Sequence, residues 1–235
     1  MNGEQRSQYP DIEPAFWSIY EKCRHATMTS VERMYALYNA VLHTLRIGAP
    51  GDFVECGVWR GGSVMLMAET LAAAGVRDRL IYLYDTFDGM PPPSERDKDV
   101  SGVPAAAQLS AAPRVEESVW AYASLEVVAD NLRKTAYPIE NFRLVRGKVE
   151  DTLPRAAPER IALLRLDTDW YESTRCELEI LYPRLHPGGV LIIDDYGHWR
   201  GSKEAVDEYF STQAQPILLH RVDYTGRVGI KPASA

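Results

Sequence analysis

The sequence predicts an α/β fold in which a mainly parallel sheet carries helices on both faces. The first observation is that short apolar runs alternate with segments of helical periodicity along most of the 235-residue chain. The second is that Ile161–Leu166 and Gly189–Ile193 are almost entirely apolar, which is typical of strands buried on both faces. The third is a pair of short strands around Thr225-Gly226, which predicts an antiparallel hairpin at the C-terminal edge of the sheet.

The length and composition exclude several classes of protein. A chain of this length forms one large domain, or one domain with a cap. The formal net charge of −7 argues against nucleic acid binding, which needs a basic face. No signal peptide pattern and no membrane-spanning apolar run is visible, so we expect a cytoplasmic protein without a membrane partner. Cys23, Cys56 and Cys176 are few and scattered, which favours buried small side chains over disulfides or nucleophiles.

Two helices are predicted ahead of the sheet, over Ile12–Arg24 and Ser30–Ile47. The second has a capping candidate at Thr29 or Ser30 and stops at the Gly48–Gly51 turn. We expect residues 1–50 to form an N-terminal helical extension or cap, and residues 51–235 to form the main domain. The extension either covers the active edge of the sheet or makes a dimer contact.

The segment Gly51–Ser63 predicts a short strand, a glycine-rich turn and the start of a helix. Glycines in the turn let backbone N–H groups approach a ligand at the helix start. Their spacing is neither the G-x-G-x-x-G of dinucleotide-binding proteins nor a P-loop. Glu55 lies two residues before Gly57 and suits a cationic or hydroxyl-bearing ligand better than a pyrophosphate.

The second strand, Leu80–Tyr84, ends at Asp85. An acid at this place commonly binds the two hydroxyls of a ribose, although a turn-forming aspartate is the alternative. Together with the glycine turn, the ribose interpretation is favoured. The segment Gly89–Glu117 is too long for a tight connection and predicts a substrate lid.

The remaining elements follow from the same patterns. We expect helices from Ser118 to near Tyr137-Pro138, from Ser173 to Leu185 and from Gly201 to Phe210, a helix or turn at Glu150–Pro154, and a third strand over Asn141–Val149. In the second of these helices, Ser173 or Thr174 is the expected cap and Pro187-Gly188-Gly189 the stop.

Acidic residues directly follow the two most apolar strands. Since parallel strands end at one edge of a sheet, Asp167 and Asp169 should lie beside Asp194 and Asp195. Four carboxylates in one place repel each other unless a positive charge is present. Oxygen ligands without a Cys-His pattern favour magnesium over zinc.

The alternative to a metal ion is that these acids cap helices or pair with arginines. Arg165 and Arg175 are the nearest candidates in the sequence. For a single strand-end aspartate this alternative is the better one. For Asp167 together with Asp194 and Asp195, the cluster favours a cation because stacked acids need a compensating charge.

Seven ordered segments, which cover nearly the whole chain from about Thr27, resemble the macrocin O-methyltransferase family. They are DFVECGVWRGGS, DTFDGMPPP, SLEVVADNL, GKVEDTLP, LLRLDTDWYEST, ELEILYPRLHPGGVLIIDDYGHW and KEAVDEYF. The resemblance implies a class I methyltransferase (Rossmann-like) fold and an enzyme that depends on S-adenosylmethionine and Mg²⁺. It further implies methylation of a sugar hydroxyl in a glycosylated small molecule of antibiotic biosynthesis, and we also expect a homo-oligomer.

The same resemblance assigns roles to individual residues. Asp167, Asp194 and Asp195 look like the metal ligands, Asp167 also counts among the catalytic residues, and Asp169 looks like the general base. The residues that look like the cofactor site are Glu55, Gly57, Ser63, Asp85, Ser124, Lys148 and Val149.

This chemistry agrees with the residue types. A metal ion lowers the pKa of a bound hydroxyl, and a nearby carboxylate takes its proton as the methyl group transfers. His198 is the competing base because the ordinary histidine pKa is nearer neutrality, although a surface role is the alternative. The aromatic residues Trp170, Tyr171, Tyr196 and Trp199 either pack on a sugar or close the core.

Two other functions remain open. A catechol or another phenol needs the same metal and acids as a sugar diol, so methylation of such a ring is the alternative reaction. A nucleotide-binding oxidoreductase is more distant because the pyrophosphate glycines are missing.

Overall fold

The computed structural model describes residues 7–116 and 118–233, and within them a seven-stranded sheet forms the centre of the protein. The strands are β1 (Asp52–Cys56), β2 (Ile81–Asp85), β3 (Phe142–Arg146), β4 (Ile161–Leu166), β5 (Leu185–Ile193), β6 (His220–Arg221) and β7 (Arg227–Ile230). Their order across the sheet is β3-β2-β1-β4-β5-β7-β6. The predicted α/β class and its antiparallel C-terminal edge are confirmed.

The register of the sheet decides where the strand ends meet. β1 to β5 are parallel, whereas β7 runs antiparallel to β5 and β6 antiparallel to β7. Cys56 lies opposite Leu166, and Leu166 lies opposite Ile193. The residues that follow these three positions therefore leave the sheet side by side at its carboxyl edge.

Helices cover both faces of the sheet. They are α1 (Pro14–Cys23), α2 (Val31–Arg46), α3 (Gly62–Ala73), α4 (Ala105–Ala111), α5 (Leu125–Leu132), α6 (Val149–Ala156), α7 (Tyr171–Leu181) and α8 (Arg200–Ser211). Short 3₁₀ turns lie at Arg24–Ala26, Ile139–Asn141 and Tyr182–Arg184. Among the described residues, no helix combines the length and the apolar character that crossing a bilayer requires.

Two separate apolar cores lie on the two faces of the sheet. Successive side chains of a strand point to opposite faces. Phe53 and Leu163 therefore pack in the core that contains α1, α2, α3 and α5. Val54 and Leu164 pack in the core with α6, α7 and α8. The N-terminal helices thus share a core with the sheet, while homo-oligomerisation and the division at residue 50 stay predictions.

The boundaries of α7 and β5 differ from the prediction. The helix starts at Tyr171, with Trp170 as its cap, rather than at Ser173 or Thr174. The Trp170 side chain makes no capping hydrogen bond to the helix. Pro187-Gly188-Gly189 does not stop a helix but lies inside β5. The pairing of β4 with β5 is irregular there, and a bulge tolerates a proline that has no N–H to donate.

Three other boundaries are also corrected. α5 begins at Leu125 instead of Ser118, because the Ser124 hydroxyl accepts the N–H of Val127 and caps the helix. It ends at Leu132 rather than near Tyr137-Pro138. β3 ends at Arg146, and Val149 already belongs to α6. The predicted lid is folded in its described part and contains α4, while Glu117 lies outside the described residues.

Candidate active site

A cavity of about 500 Å³ opens at the carboxyl edge of the sheet. Its wall is built from the loops after β1 to β5, from the start of α2 and from the lid. Ser124 is not among the described residues that line this cavity. The structure brings together the other predicted site residues, namely Glu55, Gly57, Ser63, Asp85, Lys148, Val149, Asp167, Asp169, Asp194, Asp195 and His198.

The glycine turn after β1 lets two strand ends come into contact. Gly57 has a φ of +77°, which is the left-handed region that glycine tolerates best. A Cβ at this position would lie only 1.9 Å from the Asp167 carbonyl oxygen. Any other residue would therefore push the turn away from the acidic loop that follows β4.

Asp85 stabilises the same turn from the end of β2. Its Oδ2 accepts the N–H groups of Val58 at 2.7 Å and Trp59 at 3.3 Å, and its Oδ1 accepts that of Phe87 at 2.7 Å. Burial raises the pKa of Asp85, while these backbone donors lower it. The contacts fit the turn-forming alternative, and ribose binding by Asp85 stays a prediction.

Three carboxylates meet beside this turn. Asp167, Asp194 and Asp195 each offer one oxygen, and the three oxygens lie within 4.8 Å of one another. Burial raises the pKa of Asp167 and Asp195 well above the usual range, and repulsion from neighbouring carboxylates adds to the effect. The predicted cluster therefore exists and favours additional positive charge.

Arg165 supplies part of that charge from inside β4. Its guanidinium is fully buried, and it donates to Glu55, to Asp167 Oδ2 at 2.7 Å and to Asp194 Oδ1 at 2.5 Å. The predicted pairing of these acids with Arg165 is thus observed. The predicted pairing is wrong for Arg175, which instead donates to Glu179 on the exposed side of α7 at 2.9 Å.

A second guanidinium reaches the cluster from α2. Arg33 donates to Asp194 Oδ2 and, at 2.9 Å, to Asp223 Oδ2. Arg33 is not among the site residues predicted from the sequence. The sequence shows only that Arg33 lies in the first turn after the Ser30 cap. It does not indicate the contact with Asp194, which lies 161 residues further along the chain.

Glu55 lines the cavity and has one oxygen without a hydrogen-bond partner among the described residues. The side chain is 2% exposed, and its Oε2 atom is buried without a hydrogen-bond partner. Burial raises the pKa of Glu55 to about 7, and the Arg165 guanidinium opposes that rise. A donor group on a bound ligand would satisfy this oxygen, as predicted for a cationic or hydroxyl-bearing ligand.

Asp169 occupies a strained backbone position at the same edge. Its φ is +67°, which is uncommon for a residue other than glycine. Its N–H donates to Asp195 Oδ2 at 3.1 Å, and burial raises the pKa of Asp169 to about 7. A carboxylate with this pKa is able to take a proton near neutral pH.

His198 also lines the cavity. Its Nδ1 lies 3.3 Å from the Tyr224 hydroxyl oxygen, and burial lowers the pKa of the imidazole. A neutral imidazole has one nitrogen free to accept a proton. His198 therefore stays a candidate base beside Asp169.

The lid is held by two buried tryptophans. Trp170 and Trp199 meet edge to face with ring centroids 4.9 Å apart, and Leu109 of α4 packs in the same cluster. The Trp170 indole N–H also donates to the Pro91 carbonyl at 2.9 Å. Of the two alternatives for these aromatic residues, closing the core is therefore the one observed for both tryptophans, although Trp199 also borders the cavity.

The chain is similar in sequence to known O-methyltransferases. The chain matches the family model described as Macrocin-O-methyltransferase (TylF) over residues 21–228. It is 38% identical over 217 residues to the 8-demethyl-8-(2,3-dimethoxy-alpha-L-rhamnosyl)-tetracenomycin-C 4'-O-methyltransferase of Streptomyces olivaceus. The matched region covers 92% of this chain and 80% of that protein. The chain is 39% identical over 183 residues to the demethyldecarbamoylnovobiocin O-methyltransferase of Streptomyces niveus, covering 78% of this chain and 67% of that protein.

Solved structures show the same fold. The O-methyltransferase NovP matches with a TM-score of 0.77 at 34% identity, over 88% of this chain and 83% of its own. The calicheamicin methyltransferase CalS11 matches with a TM-score of 0.59 at 19% identity, over 98% of each chain. These likenesses confirm the predicted class I methyltransferase fold.

Proposed function

The chain belongs to the macrocin O-methyltransferase family, and we propose that it methylates a sugar hydroxyl of a glycosylated small molecule with S-adenosylmethionine as donor. Membership of the family makes it an O-methyltransferase. The sugar is proposed because one relative is named for a rhamnosyl-bearing tetracenomycin and another for a position of mycinamicin III. A place in antibiotic biosynthesis is part of the same proposal.

One observation carries the proposal beyond the family. Asp167, Asp194 and Asp195 face each other across less than 4.8 Å, and Asp169 lies in the wall of the same cavity. A cavity that combines a carboxylate cluster with a carboxyl group of near-neutral pKa suits the activation of a poorly acidic hydroxyl.

The three clustered aspartates fit a hard divalent cation. Their ligand atoms are all oxygens, and burial together with repulsion between the carboxylates raises the pKa of Asp167 and Asp195, so an added cation would be favourable there. Asp167, Asp194 and Asp195 would hold Mg²⁺, which when bound would lower the pKa of the acceptor hydroxyl. Each carboxylate oxygen has two lone pairs, so an arginine and a metal ion can share one aspartate.

The cofactor would lie on the other side of the cavity, against the glycine turn. The unpartnered Oε2 of Glu55 would accept a hydrogen bond from the amino group of S-adenosylmethionine, whose sulfonium supplies the methyl group. Ser63, Lys148 and Val149 border the same space and would contact the cofactor. Asp85 would act chiefly by holding the turn, and Ser124 by capping α5.

Asp169 is the proposed base. Its N–H donates to Asp195, one of the three aspartates that would hold the metal ion, and its side chain borders the same cavity. It would take the hydroxyl proton as the new carbon–oxygen bond forms. His198, which lines the same cavity, is the competing base.

Calorimetric titration of S-adenosylhomocysteine, with and without Mg²⁺, tests the proposal on the wild type and on Asp194→Asn. We expect both proteins to bind the cofactor product and only the wild type to give a Mg²⁺ signal. A folded wild type that binds a dinucleotide but not S-adenosylhomocysteine would contradict the proposal.

A panel of acceptors then tests the substrate class. Glycosides with adjacent hydroxyls should accept the methyl group, whereas matched catechols should not. Transfer to catechols alone would replace the sugar with a phenol as the substrate.

A further inference from the structure

Asp194 is held by two arginines that come from different parts of the fold. Arg165 belongs to the central strand β4 and donates to Asp194 Oδ1, whereas Arg33 belongs to α2 and donates to Asp194 Oδ2. The Arg33 side chain is 14% exposed and borders the cavity. It is thus the arginine of the pair that remains within reach of solvent and ligands.

A rigid tether fixes Arg33 in this place. Asp223, in the turn between β6 and β7, accepts Arg33 Nε at 2.9 Å and the Ser30 hydroxyl at 2.8 Å through its Oδ2. Its Oδ1 accepts the N–H groups of Thr225 and Gly226 at 2.9 and 2.7 Å. The guanidinium is therefore aimed at Asp194 by the cap of α2 and by the hairpin turn together.

The hairpin leaves room for this side chain. A Cβ on Gly226 would lie 2.8 Å from Arg33 Cδ and 2.9 Å from its Cγ. Thr225 next to it donates its hydroxyl to the Asp194 carbonyl oxygen at 2.7 Å. The turn thus holds the backbone of Asp194, while Arg33 holds its carboxylate.

We propose that Arg33 is a positioning residue that acts through Asp194, as a built-in counter-cation that weakens the binding of the divalent metal ion at the aspartate cluster. The inference rests on the metal site of the proposed function. A fixed positive charge on one of the three ligands repels a divalent cation. It also satisfies the buried carboxylate without metal, so the folded protein does not depend on the ion to neutralise Asp194.

Removing the charge should therefore tighten metal binding, which is the reverse of what loss of a merely structural contact would do. In Arg33→Gln, we expect Mg²⁺ to bind roughly three- to tenfold more tightly than in the wild type. The rise in melting temperature on adding Mg²⁺ should also be larger in the variant, because the ion then replaces a lost partner of Asp194. Arg33→Lys keeps the charge and should bind Mg²⁺ like the wild type.

Two further variants complete the experiment. Arg133→Gln removes an exposed arginine, 61% accessible and paired with Asp130, and controls for net charge. Asp223→Asn removes the negative charge that partly neutralises Arg33, while its amide oxygen can still accept the N–H groups of the turn. This variant should bind Mg²⁺ more weakly than the wild type, which is the opposite of the change expected for Arg33→Gln. It therefore tests the inference even if Arg33→Gln does not fold.

Calorimetry with Mg²⁺ alone, and separately with S-adenosylhomocysteine, distinguishes the outcomes. Tighter Mg²⁺ binding in Arg33→Gln but not in Arg133→Gln supports the inference, whether or not the cofactor product binds. Equal or weaker Mg²⁺ binding in Arg33→Gln overturns it and leaves the proposed function intact when the wild type binds both ligands. A wild type that binds S-adenosylhomocysteine but no Mg²⁺ overturns both the metal site and the role of Arg33.

Discussion

The ends of β2 and β5 share one sequence pattern, but the aspartates at these two ends have different hydrogen-bond partners. Each strand is apolar and is followed or closed by an aspartate at the carboxyl edge of the sheet. The carboxylate of Asp85 is satisfied by three backbone N–H groups, whereas that of Asp194 is satisfied by two guanidinium groups. Backbone dipoles are sufficient for one isolated acid, but a cluster of acids needs full positive charges.

This difference between the two strand ends indicates which carboxylate of the cluster would gain most from a bound cation. Asp195 gives the sharpest case because, among the described residues, no arginine or lysine forms a salt bridge with it. Its carboxylate contacts Asp169 instead, through both the N–H and the carboxyl group of that residue. Its charge is therefore the one that an added metal ion would affect most.

The largest effect is expected from Asp195→Asn. Loss of one of three carboxylate ligands should lower the rate of methyl transfer by about a thousandfold or more, as for removal of a metal or of a key electrostatic group. Initial rates at increasing Mg²⁺ concentration measure this change, and binding of S-adenosylhomocysteine is the control that should stay unchanged. Full activity at saturating Mg²⁺ would show that Asp195 only tunes metal affinity.

Asp169→Asn should lower the rate by about 10²- to 10⁴-fold. Asparagine tolerates a positive φ, so the substitution removes the carboxylate without straining the backbone at +67°. Because burial raises the pKa of Asp169 to about 7, the wild-type rate should increase with pH through about 7 and then level off. The variant should lack this step in a pH–rate profile.

If Asp169→Asn keeps the wild-type profile, the base lies elsewhere. His198→Asn is then the informative variant, since the histidine lines the same cavity. Loss of the pH step in that protein would assign the proton transfer to the imidazole.

Asp85→Ala should affect stability more than metal binding. It leaves buried N–H groups at Val58, Trp59 and Phe87 without an acceptor, which costs about 1–3 kcal/mol for the set if water enters the turn. Urea unfolding measures the loss, and Mg²⁺ titration should give the wild-type affinity. A large loss of Mg²⁺ affinity would mean that the two strand ends are not as independent as their contacts indicate.

Glu177 shows a third way to bury an acid, and its substitution should have the smallest effect. It is fully buried, accepts the Thr168 hydroxyl at 2.9 Å, and burial raises its pKa well above the usual range. The folded protein keeps a proton here that the unfolded chain releases, so wild-type stability falls as pH rises above about 4.3, the usual glutamate pKa.

Glu177→Gln mimics the protonated acid and should change the unfolding free energy by less than about 1 kcal/mol at pH 4. Relative to the wild type, the variant should become more stable as the pH rises from 4 to 8. Denaturant unfolding across this range measures the difference. Parallel pH curves for the two proteins would show that Glu177 is ionised in the folded state, and Glu177→Ala controls for loss of packing.

Element type and the antiparallel C-terminal edge follow from the sequence more closely than element boundaries do. The apolar runs correctly indicate β1, β2, β4 and β5, because burial on both faces leaves a local signal. The boundary at Pro187-Gly188-Gly189 does not follow from local rules. Lys231, on the neighbouring edge, exchanges backbone hydrogen bonds with Gly188 and Gly189 and keeps them in the strand.

The sequence by itself determines that Asp167, Asp194 and Asp195 share one edge, since parallel strands joined by a helix leave the sheet on the same side. The sequence also offers Arg165 as a partner for these acids, but only the tertiary structure brings Arg33 to them. Arg33 and Asp194 are 161 positions apart, and local periodicity contains no information about that pair. Their contact depends on how α2 packs against the sheet, which is a property of the whole core rather than of any one segment.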